Sequence, residues 1–349
     1  MTQMNIFAED NRYSKLSKLG DNLEKLNAVI DWEMFRPAME TALRKEHKSK
    51  AGRRPYDFIL LFKILILQRS FNLSDDQTEY QINDRMSFMR FLGLTLSDSV
   101  PDAKTIWLFR EKLTEAGIMD KLFEMFNRSL EEKGIITHKG SIVDATFVEA
   151  PKQRNSPEEN KAIKNGTVPE GWIGDTPNAK HKLSQKDIDA RYAKKGGNTY
   201  YGYKDHVKAD ADSKMIVAYG VTDAAVHDSR MLAVLVDGTD RVLYADSAYS
   251  GKELEASLPK SIVKRICRKG CRDKKLTTED HAYNNMVAKT RSRIEHIFGF
   301  MTRSMNGITV RSIGIKRVKC AIGLMNLAYN MFRLCTLLRK ADVATCPQG

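Results

Sequence analysis

One change of period governs what this chain can fold into. Up to about residue 135 the apolar positions recur at helical spacing; beyond it they gather into short strand-like runs separated by turns. Tyr56 to Ser70 is apolar on most faces and reads as a buried helix. Ser74 with Gln77 predicts a capping box, and Asp102 an N-cap for a helix that Gly117 closes. A further helix is expected from Met119 to Lys133. After residue 135 the expected order is strand, polar excursion, strand, strand, helix, strand, helix, strand, helix. The strands are Ile135 to Val148, TYYGYKDHVKAD, KMIVAYGVTDA, RVLYADSAYSG and SIVKRICRKG. The excursion covers about residues 151–198, with helix expected around Ser184 to Ala193. The last third reads as two helices, Ala282 to Met305 and Lys316 to Arg339. Three strands followed by alternating strands and helices predict an α+β or α/β fold: a mixed sheet with flanking helices behind a helical N-terminal domain.

Composition narrows the partners. The 349 residues carry 57 Lys and Arg against 44 Asp and Glu, a net charge of +13, which favours a polyanionic partner, most often nucleic acid. No segment is read as spanning a membrane: the longest apolar run, FILLFKILIL, has ten residues and includes Lys63. The first residues lack the apolar core of a secretion signal, and five cysteines form no disulfide framework, so a reducing cytosol is expected. Cys267-x3-Cys271 with His281 lacks a fourth zinc ligand at sensible spacing.

Three acids carry the chemistry. Asp144 sits inside the apolar run GSIVDATFVEAP, and Asp246 follows Val-Leu-Tyr-Ala. Both stand at or near the carboxyl end of a strand, where functional groups of α/β sheets collect. Two carboxylates there repel each other and need a cation to stay ionised. Mg²⁺ takes hard oxygen ligands, and two such ions can clamp the attacking and leaving oxygens of a phosphoryl transfer. Glu295 flanks an apolar stripe of Ile294, Ile297, Phe298 and Met301, with Arg291 one turn earlier and Arg293 and Arg303 nearby. Singly, each acid also reads as a turn residue or a surface ion pair; the ordered set on a basic chain is more specific.

The pieces IVDATFV, YYGYKDHVKAD, VTDAAVHDSRML, LYADSAYSGKE and RSRIEHIFGFMTR, with the helical stretch RRPYDFILLFKILILQRSFNLSDDQTEYQINDRMSFMRFLGL, resemble the DDE transposases of bacterial insertion sequences. Within these, the group named for insertion sequence five is the most similar, and the likeness covers about residues 40–340. The resemblance implies an RNase H-like catalytic core, with Asp144, Asp246 and Glu295 as catalytic and metal-binding triad and two Mg²⁺ ions as cofactors, replaceable by Mn²⁺. It implies double-stranded DNA, both element ends and target, as the partner of a homodimer in the bacterial cytoplasm, associated with the nucleoid. The domains would be an N-terminal helical arm (1–40), a helical DNA-binding and assembly domain (41–135), and the catalytic domain (136–349) with its insertion at about 151–198. Ala288 and Thr302 stand where the Glu helix of related enzymes carries Tyr and Lys. A metal-dependent nuclease, or an inactive DNA-binding regulator, are the alternative readings.

Several cations are DNA-contact candidates. Lys204 and Lys208 share one strand face with His206. Lys264, Arg265, Arg268, Lys269 and Arg272 belong to the densest basic cluster of the chain, and Arg291 and Arg303 flank Glu295. His227-Asp228 reads as a cap. Lys104, Trp107 and Arg110 share a helix face that can either enter a DNA groove or, the favoured reading, pack Trp107 into the helical core. Trp172 either stacks on an extruded base or, the favoured reading, pins the excursion to the core.

Overall fold

The structure is a computed structural model, which describes residues 8–44, 55–174, 177–271 and 275–345. The chain forms two compact units: residues 1–126 together with 327–349, and residues 127–326. The second therefore opens ahead of the change of period read at residue 135, and the end of the last helix belongs to the first.

The first unit is helical, as its 3.6-residue spacing requires: α1 (Ala8–Leu19), α2 (Asn22–Val29), α3 (Arg36–Leu43), α4 (Phe58–Ser70), α5 (Asp75–Asp84), α6 (Met86–Leu92), α7 (Ala103–Ala116) and the start of α8 (Met119–Glu132). Ile64, Leu65, Ile66 and Leu67 are all fully buried, which a helix achieves only when neighbours surround it, so α4 is the centre of this core. Asp57 starts α4 by accepting from the N–H groups of Ile59 and Leu60. The Ser74–Gln77 capping box, the Asp102 cap and the left-handed Gly117 occur as the sequence predicts.

The second unit is built on a six-stranded mixed sheet. Its strands are β1 (Ser141–Glu149), β2 (Arg191–Lys195), β3 (Asn198–Asp210), β4 (Ile216–Asp223), β5 (Val242–Ala245) and β6 (Val263–Ile266). β1 pairs antiparallel with β3 and parallel with β5, and β5 pairs parallel with β6. One edge of β3 is shared in succession: residues 198–202 pair with β2 and residues 203–209 with β4, both antiparallel. The spine β4-β3-β1-β5-β6, two antiparallel pairings then two parallel, is the order of an RNase H-like core. Helices α9 (Pro157–Lys164) and α10 (Pro177–Gln185) lie in the excursion; α11 (Leu232–Leu235) and α12 (Lys252–Ser257) connect the later strands. The chain continues through α13 (Thr278–Arg291) and α14 (Arg293–Arg303) to α15 (Ile315–Thr345).

Two readings of the sequence are corrected here. Helix was expected near residues 184–193, but α10 ends at Gln185 and residues 191–195 form β2. The propensity of a lysine-rich segment is overridden by pairing with Asn198 to Gly202 across a tight turn. The single helix read from Ala282 to Met305 is two, divided at Ser292. The stretch Ile315–Lys340 of α15 is long and apolar enough by composition to cross a membrane, but 67% of its most apolar window is buried inside the protein, as in a core helix.

Side chains alternate across the sheet. Ile142, Asp144, Asp205 and Val207 share one face, because Asp144 stands opposite Val207 and Thr146 opposite Asp205. Val143 and Lys208, Ala145 and His206, and Phe147 and Lys204 are opposed pairs on the other face. That face is sealed by Leu232, Leu235, Val236, Leu258 and Ile262 packed on Val143, Leu243 and Ala245.

Candidate active site

Register brings the two aspartates together. In the parallel pairing of β1 with β5, Ile142 lies opposite Tyr244. Two residues further on, Asp144 within β1 and Asp246 just past β5 continue that register, which would put their backbones one strand spacing, about 4.8 Å, apart. Each spends one oxygen on the next N–H: Ala145 donates to Asp144 Oδ1 at 2.8 Å and Ser247 to Asp246 Oδ1 at 2.7 Å. The remaining oxygens differ. Arg291, at the end of α13, donates to Asp144 Oδ2 at 3.0 Å, while Asp246 Oδ2 has no partner among the described residues.

Burial is the larger force on Asp144 and raises its pKa above the ordinary carboxylate value; the Ala145 N–H, Arg291 and Lys195 oppose it, and Asp246 adds to it. Such an aspartate gains from any cation placed between it and Asp246. Tyr249, three residues after Asp246, reinforces the point. Its hydroxyl is buried and unpartnered, and its pKa is raised by burial and then by Asp144, Asp228 and Asp246. Excess negative charge, one open carboxylate oxygen and an unanswered hydroxyl suit a hard divalent cation with two carboxylate ligands and substrate oxygens for the rest.

Glu295 is not gathered with this pair. It lies exposed in the first turn of α14, while Ile294, Ile297 and Met301 of the predicted stripe are buried. A continuous helix would put Glu295 one turn above Arg291; instead its N–H bonds Ser292 O at 3.1 Å, a tighter i→i−3 turn at the break. Among the described residues no three His, Cys, Asp or Glu side chains are clustered to hold a metal ion.

The cations predicted to meet DNA separate by what they already touch. Lys208 is corrected: it is fully buried, with its ammonium 3.0 Å from Asp240 and 3.1 Å from Asp237, and presents nothing to a phosphate. Lys204 donates to Asp228 at 2.8 Å and to Val226 O at 2.7 Å. Lys264 donates to Glu255 O, Arg265 to the Tyr244 hydroxyl, and Arg268 to Asp280 at 2.7 Å. Lys269 and Arg303 are exposed, with no such partner among the described residues. Arg272 lies outside the described residues. His206, on the buried line between the two lysines, contacts Thr222 Oγ1 at 2.8 Å, and burial drives its pKa down to about 4. His227 caps the turn at Asp228, as read.

The tryptophans divide. Trp172 is fully buried, donates to Glu159 at 2.7 Å and lies under the Lys186 ammonium, so it pins the excursion and cannot stack on a base. The packing expected of Trp107 is corrected: it is 42% exposed, because α7 turns Ile106, Phe109 and Leu113 inward instead. Arg110, on the predicted groove face, is buried against Asp75 through two bonds of 2.6 and 2.9 Å. Cys267, which the sequence suggested only as a weak zinc ligand, follows the end of β6, where its N–H bonds Ala245 O at 3.1 Å. Burial raises its thiol pKa, and Arg291 and Asp246 act on it in opposite senses, which sets it beside the aspartate pair. Only the alignment of three strand ends could have signalled it.

Two family models match the chain: a transposase domain (DUF772) over residues 11–112 and a transposase DDE domain over residues 136–331. A cryo-EM structure of a piggyBac transposase synaptic complex with hairpin DNA aligns over 92% of this chain and 74% of that one, at 13% identity and a TM-score of 0.40.

Proposed function

The chain belongs to the transposase DDE domain family, a family of DNA transposases and so of polynucleotidyl transferases, and from that premise we propose how it works. Membership implies dependence on a divalent metal. In our reading the protein binds the inverted-repeat ends of its own insertion sequence, cleaves the DNA there and joins the freed 3′ ends to target DNA. Asp144, Asp246 and Glu295 are the catalytic residues. Asp144 and Asp246 would hold divalent cations, Mg²⁺ with Mn²⁺ as substitute, with Glu295, exposed on α14, as the further carboxylate ligand, and the metal would supply Lewis-acid polarisation of the phosphoryl group.

The protein's own groups do the rest. Strands β1 and β5 fix the aspartates before substrate arrives, so their alignment costs nothing at the moment of reaction. Arg291 holds Asp144 in one orientation and sets a positive charge where phosphate oxygens must approach. Lys269 and Arg303 supply sequence-independent phosphate contacts, with Lys264, Arg265 and Arg268 at the edge of the same basic stretch. The helical unit serves DNA binding and assembly, two copies pair because two ends must be cut together, and the working site is the bacterial cytoplasm at the nucleoid. The observation that carries this reading is the parallel register of β1 and β5, with Ile142 opposite Tyr244, which places Asp144 and Asp246 two residues on from paired positions.

A strand-transfer assay tests it, with DNA ends taken from the flanks of the gene, a supercoiled target plasmid and Mg²⁺. Joined products with the native protein, and their loss by a factor of about 10³ or more in Asp246→Asn, are expected. Cleavage without joining would favour a nuclease. Full activity of Asp246→Asn would remove the catalytic assignment.

A further inference from the structure

Two lysines on one face of β3 are buried against aspartates, and the two pairs serve different ends of the site. Lys208 reaches Asp237 and Asp240, in the loop that leads into β5. Lys204 reaches Asp228, the first residue of the short 3₁₀ turn Asp228–Met231, at 2.8 Å, and the Val226 carbonyl at 2.7 Å. Its ammonium also lies 5.3 Å from the centre of the Phe147 ring. Lys204 is itself firmly placed, because β3 is paired there on both sides, to Phe147 of β1 and to Thr222 of β4.

Asp246 depends on the Asp228–Met231 turn more than Asp144 does. Asp144 stands inside β1, in register with Val207 of β3, and its carboxylate is held by Arg291. Asp246 stands just past β5, and among the described residues its side chain bonds only the Ser247 N–H. It opens a second 3₁₀ turn, Ser247–Tyr249, which the Tyr249 N–H closes on Asp246 O at 3.0 Å. Tyr249, 1% exposed, anchors this turn among Val143, Leu243, Ala245 and Leu232, on the sheet face away from Asp144. The turn Asp228–Met231 packs against it, and Met231 joins the same apolar cluster. A line of contacts therefore runs from Lys204 through Asp228 to the Tyr249 turn, and so to Asp246.

Taking Asp246 as a metal ligand from the reading above, we propose that Lys204 and Asp228 are positioning residues for the phosphoryl transfer. They fix the turn against which Asp246's own turn rests, and so set where its free oxygen meets the divalent cation. A buried ion pair adds little net stability over apolar side chains of the same size, but its charged hydrogen bonds are directional and hold one geometry. Groups that orient a metal ligand without touching the metal are typically worth about 10–100-fold in its affinity.

The test needs no DNA. Mn²⁺ is titrated into the full-length protein and the free ion is read by electron paramagnetic resonance; the part of the binding that Asp246→Asn abolishes is the signal. Lys204→Met/Asp228→Leu replaces the pair by apolar side chains of similar size, so no charge is stranded. It should keep a urea midpoint near the native one and weaken Mn²⁺ binding by about 10–100-fold. Asp228→Asn, which keeps the shape and removes the charge, should weaken it in the same direction by less. Lys208→Met, in the pair ahead of β5, should lower stability yet leave Mn²⁺ affinity within about twofold of native. Affinity within about twofold of native in both variants of the Lys204 pair, or an equal loss in Lys208→Met, would overturn the inference. Binding that Asp246→Asn leaves intact would instead sink the metal assignment on which it rests.

Discussion

Asp205→Asn should stabilise the sheet unit, and by an amount that depends on pH in a calculable way. Asp205 is fully buried on β3, opposite Thr146. Asn326 donates to its Oδ1 at 3.3 Å, while its Oδ2 and the Asn326 carbonyl oxygen both lack partners. Burial raises its pKa from the ordinary 3.8 to about 7. The folded state therefore holds this proton more tightly than the unfolded chain does. Its contribution is fully present below pH 4 and is lost as pH rises toward 7. A shift of that size corresponds to roughly 4 kcal/mol at pH 8 but only roughly 2 kcal/mol at pH 5. Asparagine is neutral at every pH, and its amide can donate to the waiting Asn326 oxygen. The gain over native should therefore be larger at pH 8 than at pH 5 by roughly 2–3 kcal/mol. The depressed pKa of His206, next along the strand, is common to both proteins and cancels in the difference. Urea unfolding followed by Trp172 emission, in a Trp32→Phe/Trp107→Phe background, reads this unit alone. A stability difference that stays constant from pH 5 to pH 8 would refute the reasoning.

Three other outcomes are expected. Arg291→Ala removes the Arg291 guanidinium from Asp144, so its pKa rises further; single-turnover cleavage should fall about 10²-fold, with its acidic limb displaced to higher pH. Lys208→Met strands Asp240 in the interior and should cost about 3–5 kcal/mol in urea unfolding, part of which Asp240→Asn restores. Trp172→Ala empties the anchor of the excursion, at about 3–5 kcal/mol, with hydrogen exchange rising first in α9 and α10.

Much of this architecture is legible in the sequence because its elements declare themselves locally. Ser74 with Gln77, Asp102 and Gly117 mark helix ends through side-chain and backbone chemistry that needs no tertiary partner. Asp144 and Asp246 stand out because a charged residue beside a buried strand needs a reason. What escaped depends on pairing. β2 is a strand only because β3 accepts it, and the break at Ser292 interrupts a periodicity that runs on through it. Alternation put Lys204 and Lys208 on one face correctly, but could not say that the face was interior. Trp107 sits among Ile106, Leu108 and Phe109 yet is exposed, whereas Trp172, in a polar stretch, is fully buried, so the apolar neighbours of a tryptophan did not tell its fate.

The density of positive charge along a sequence is therefore a poor guide to where DNA lies. Counterion release rewards only cations that are free to replace sodium or potassium at a phosphate; one already held by a carboxylate must first give up that partner. In the cluster from Lys264 to Lys275, Arg268 is paired with Asp280, while Arg265 and Lys264 donate to a hydroxyl and a carbonyl. Lys269 of the same cluster and Arg303 on α14 are exposed, with no such partner among the described residues. Phosphate affinity should follow that availability rather than the count of basic residues along the sequence.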